Sequence, residues 1–173
     1  VGNPYPSYLN VQQFLLHDVG GVANFQLFDA PTAAIYGYDG NATNGWTIYN
    51  LATTTPSTLI APGQGFFVSA DATNAVIYDL QFTPPMRSSG TSDDFILGRN
   101  SELVYLKLKA NTNLDAFTTE VYFNNNASSG LDLGYDAKLF GNIPSFAMYS
   151  HLIQDNNGDA FALQTLHSSA YSN

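Results

Sequence analysis

At 173 residues the chain is long enough for one domain with a substantial core, and its length does not demand two. Hydrophobic residues make up 45% of it, charged residues only 11%, and the formal net charge is −9, with Arg87, Arg99, Lys107, Lys109 and Lys138 the five basic residues. Without a basic stripe to displace counterions it is a poor partner for nucleic acid, anionic membrane or heavily sulfated glycans, and no apolar run approaches the roughly 20 residues that span a bilayer.

Residues 2–7, GNPYPS, are stiff. Pro4 and Pro6 push Asn3 and Tyr5 towards extended backbone, and neither proline can donate to a sheet ladder. The stretch therefore reads as a rigid exit from a strand, with Tyr5 and Tyr8 free to pack over a sheet end. The spacing in NVQQFLL (10–16) predicts a short helix, with Asn10 as N-cap and Val11, Phe14 and Leu15 on one face.

From there period-2 stretches dominate. Strands are expected over 24–29, 33–38, 45–50, 64–70, 75–82, 103–109, 117–123, 146–153 and 160–166. In LVYLKLK (103–109), alternation predicts Val104, Leu106 and Leu108 facing the core, and Tyr105, Lys107 and Lys109 facing water. In IAPGQGFFV (60–68), Pro62-Gly63 suits a type II turn, and Phe66 and Val68 face opposite to Phe67. Turn clusters at 38–45, 53–57, 124–130 and 155–159 separate the strands, and 84–100 reads as a polar loop with one strand at 95–97. The fold expected is all-β: an antiparallel β-sandwich of jelly-roll type, or a closed barrel, with one short helix near the N-terminus and one domain over 1–173.

Catalysis has no starting motif. His17, His151 and His167 are scattered, there is no cysteine, and neither a nucleophile elbow nor a P-loop is present. Local acidic groupings (Asp93-Asp94, Asp132 with Asp136, and Glu120) read as solvated surface, so the expectation is no enzyme. For a structural calcium, DNNGD at 155–159 offers oxygens from Asp155, Asn157 and Asp159, but the glycine stands at position 4 and Leu166 stands where a bidentate Glu belongs. A turn between two strands accounts for the same residues. Asp132 and Asp136 either brace their loop through backbone N–H groups or share a calcium.

Aromatic residues are the main pointer to a ligand: 11 Tyr, 12 Phe and one Trp. Tyr36, Tyr38, Trp46 and Tyr49 lie on two expected strands joined by a Gly/Asn-rich loop. Rimmed by Asp39, Asn41 and Asn44, they would form a platform for polysaccharide or surface glycan. The competing reading makes Trp46 the central core aromatic, capped by the tyrosines.

The ordered blocks GNPYPS (2–7), GWTIYN (45–50), IAPGQGFFV (60–68), TEVYF (119–123), GLDLGYDAKL (130–139) and AFALQTL (160–166) resemble an accessory module of type IX-secreted Bacteroidetes proteins, found ahead of their C-terminal sorting domain. The resemblance covers nearly the whole chain. It implies a secreted or cell-surface location and a non-catalytic, β-rich part of a longer polypeptide, whose other domains are its neighbours. Such modules begin a strand earlier and run on past AFALQTL, so the chain, which starts with Val, is expected to be a fragment. A structural spacer, or a module that self-associates through open strand edges, is the alternative function.

Overall fold

Asn10 both ends β1 (Tyr8–Asn10) and caps α1 (Val11–Leu16): its side-chain oxygen accepts the Gln13 backbone N–H at 2.9 Å. This is a computed structural model of the chain, and it describes residues 1–38, 46–73, 79–90 and 103–172. The helix buries Val11, Phe14 and Leu15, the face its spacing predicts. It is followed by a tight hairpin of β2 (Asp18–Val19) and β3 (Val22–Ala23), whose two-residue turn needs positive φ at Gly20 and Gly21.

Residues 24–29 do not form the expected strand. A 3-10 turn occupies Asn24–Leu27, where the Asn24 amide donates to the Phe14 carbonyl at 2.8 Å and the Gln81 carbonyl at 2.9 Å. Two long-range bonds from one buried side chain outweigh a local strand preference.

The strands form separate small sheets. β6 (Leu59–Ile60) and β7 (Arg87–Ser88) flank β1, both antiparallel. β4 (Ile35–Tyr38) and β5 (Trp46–Tyr49) make a hairpin, and Phe67 pairs along the other side of β4, exchanging backbone hydrogen bonds of 2.9 and 2.8 Å with Tyr36. The largest sheet holds β8 (Tyr105–Asn111), β9 (Ala116–Phe123), β10 (Ala137–Lys138) and β11 (Phe161–Leu166) in the order β10-β11-β9-β8. Here β9 and β11 run parallel, a departure from the all-antiparallel expectation. The long connection between them passes through β10, and such length is what a parallel crossover requires.

The β4–β5 hairpin carries core on both faces. Ile35 and Tyr49, opposite one another, enter a cluster with Leu9, Phe14, Ile60, Phe66 and Met86. On the reverse face Tyr36 enters a second cluster with Tyr122, Ala137 and Leu163 from the large sheet. The chain is therefore β-rich, with this hairpin between the two clusters.

Two further expectations are revised. Residues 146–153 contribute only a bridge at Ser150, paired with Phe161. In β8 both rows are exposed: Val104, Leu106 and Leu108 do not face the core, and on the other row Tyr105 stacks on buried Tyr122 at 5.1 Å while Lys107 pairs with Glu120 at 3.3 Å. The expected strand at 95–97 and residues 75–78 of the stretch 75–82 lie outside the described residues.

Candidate functional site

Where β4 leads into β5, Tyr38 and Trp46 stand directly opposite each other, their ring centroids 5.6 Å apart and their planes at 78°. Strand pairing fixes this, because residues opposite in an antiparallel ladder share a face. Trp46 also meets Phe67 edge to face at 5.5 Å, and Phe140 at 4.9 Å. Phe140 in turn lies 4.8 Å from the Tyr36 ring. Edge-to-face contact sets the positive rim of one ring against the negative face of the next, so the cluster holds itself together.

The cluster grades from core to solvent. Tyr36 is fully buried, Trp46 and Phe140 are half-buried, and Tyr38 and Phe67 are 68% and 52% exposed. Exposed aromatic rings held this way offer apolar faces to solvent with little side-chain freedom left to lose on binding.

Of the aromatic residues expected to make the platform, Tyr38 and Trp46 do stand together at the surface. Tyr36 and Tyr49 are corrected to core positions. The Tyr36 hydroxyl donates to the Lys138 carbonyl at 3.1 Å, and burial, followed by the negative charge of Asp29, raises its phenol pKa above the ordinary range. Tyr49 faces the opposite core and is 8% exposed. Asp39, Asn41 and Asn44 lie outside the described residues. Sequence reasoning missed Phe67 and Phe140. The first had a legible signal, since alternation sends Phe66 and Val68 to the core and Phe67 outward, as observed. Phe140 had none.

The acidic residues are engaged by the protein itself. Asp136 is fully buried; its Oδ1 accepts the Thr165 N–H and its Oδ2 the Asp132 N–H, each at 2.7 Å. Burial is the largest influence on its carboxyl and raises the pKa to about 6, against the two backbone hydrogen bonds, which lower it. Asp132 accepts from the Ser128 backbone and hydroxyl. This is the bracing geometry. In 155–159, the Lys138 ammonium lies 2.6 Å from Asp159, Asp155 takes the left-handed φ of 54°, and Asn157 is exposed. Among the described residues no three His, Asp or Glu side chains are grouped so as to hold a metal ion.

Comparison with curated proteins and with solved structures finds no match for the chain. A family model described as "Domain of unknown function (DUF8693)" matches residues 1–165, and the chain belongs to that family.

Proposed function

We propose that the chain is a non-catalytic accessory or adhesive module of a secreted or cell-surface protein, and that it binds carbohydrate through Tyr38, Trp46 and Phe67. The observation that carries this reading is the interlocked, solvent-facing cluster at the hairpin end. Tyr38 and Phe67 remain largely exposed although half-buried Trp46 holds both in place. Aromatic faces suit the apolar faces of sugar rings. A net charge of −9 favours an uncharged polysaccharide over an acidic one.

The reading treats the layers as a jelly-roll-like sandwich in which one strand pair is parallel. Export as part of a longer, type IX-secreted polypeptide rests on the block resemblance alone. A structural calcium is not part of the proposal, because backbone N–H groups engage Asp136 and the Lys138 ammonium engages Asp159.

The test is a pull-down on insoluble neutral polysaccharides, comparing the wild type with Tyr38→Ala/Phe67→Ala and with Trp46→Ala. Retention by the wild type and loss in the variants is expected. No retention on any glycan, or retention unaffected by the substitutions, overturns the proposal in favour of a spacer.

A further inference from the structure

β8 lies at one end of the large sheet. Among the described residues β8 is an edge strand, and Tyr105 to Lys109 are all exposed. Phe123 donates its N–H to the Val104 carbonyl, and the register with β9 continues unbroken from Tyr105 to Asn111. Hydrogen-bonded and non-bonded positions alternate in an antiparallel ladder, so Leu106 and Leu108 pair inward and the backbone groups of Lys107 and Lys109 point away from β9. β8 contains no proline and no bulge to blunt this edge.

The side chains say what would fit. One face carries Val104, Leu106 and Leu108, 43–50% exposed, continued by half-buried Val121 and Phe123 of β9. The other carries Lys109 and Lys107, the latter already 3.3 Å from Glu120 of β9; they are two of the five basic residues in a chain of net charge −9. A second copy pairing β8 to β8 would bring lysine rows together, and like charges across a ladder are destabilising. An acidic strand meets the opposite condition on that face and an apolar one on the other.

We propose that the edge of β8 around Lys107 and Lys109 takes an added strand: an extended segment of another polypeptide in which aspartate or glutamate alternates with aliphatic residues. Main-chain hydrogen bonds would supply affinity, and the two side-chain rows would set register and choice of partner. The site does not depend on the carbohydrate reading.

Hydrogen exchange with a synthetic valine–glutamate alternating octapeptide tests it, with the valine–lysine octapeptide as control. Protection of the Lys107 and Lys109 amides by the acidic peptide alone is expected. The Lys109→Glu variant should bind that peptide about tenfold or more weakly and gain affinity for the lysine peptide. N-methylation of alternate peptide amides, in the register that faces β8, should abolish binding. Equal binding of both peptides, protection elsewhere, or no binding at all would overturn the proposal. So would a concentration-dependent dimer that protects the same amides without peptide, which would name a second copy as the occupant.

Discussion

The Asp136 carboxylate accepts the backbone N–H of Thr165, 29 positions away, at 2.7 Å. Its other oxygen accepts the Asp132 N–H, so one buried side chain holds the 132–136 turn against β11. Asp136→Ala orphans a fully buried donor and a half-buried one, at a cost of about 2–4 kcal/mol. Asp136→Asn keeps one acceptor and should lose about half as much. Denaturant unfolding measures both, and a loss below about 1 kcal/mol for the alanine variant would show that water replaces the carboxylate.

The same group makes stability depend on pH in an unusual direction for an aspartate. Its folded pKa of about 6 lies above the ordinary value of 3.8. The protonated form is therefore favoured by folding; that contribution is fully present below the unfolded pKa and is lost as pH rises through about 6. Relative to Asp136→Asn, which removes the titration, the wild type should lose stability between pH 4 and 6 and then level off. A difference that stays flat over this window would mean that the two N–H donors at least offset burial.

Tyr36 and Tyr38, two positions apart, should behave as opposites. Tyr36→Ala empties a fully buried site and removes the hydrogen bond to Lys138, at about 3–5 kcal/mol. Tyr38→Ala removes a mostly exposed ring and should cost about 1 kcal/mol or less. If thermal unfolding instead finds Tyr38 as important as Tyr36, the exposed cluster is explained by stability and a ligand is not needed to account for it.

The ammonium of Lys138 lies against Asp159, so calcium should find little there. Adding calcium chloride or a chelator should leave the melting temperature unchanged. A calcium-dependent rise of several degrees would show an ion bound to the folded state. Lys138→Gln separates the two cases, since freeing Asp159 should create calcium sensitivity only if the lysine was what prevented it.

Local features were legible in the residues themselves. The Asn10 cap and its helix face, the strands at 35–38, 46–49, 116–123 and 161–166, and the opposed directions of Phe66 and Phe67 all follow from spacing and turn chemistry. These are short-range: a cap reaches three residues, and a strand's alternation is built into its pleat. What alternation cannot say is which face meets a neighbour. β8 shows this, since its aliphatic row faces solvent while Tyr105 on the other row stacks on Tyr122. The β4–β5 hairpin shows it again, because packing on both sides buried Tyr36 and Tyr49 and left Tyr38 and Trp46 at the rim. Phe140 reached that rim, and Asp136 reached Thr165, only through chain reversals spanning many residues. Such meetings depend on how whole layers stack, and that is decided by the tertiary fold.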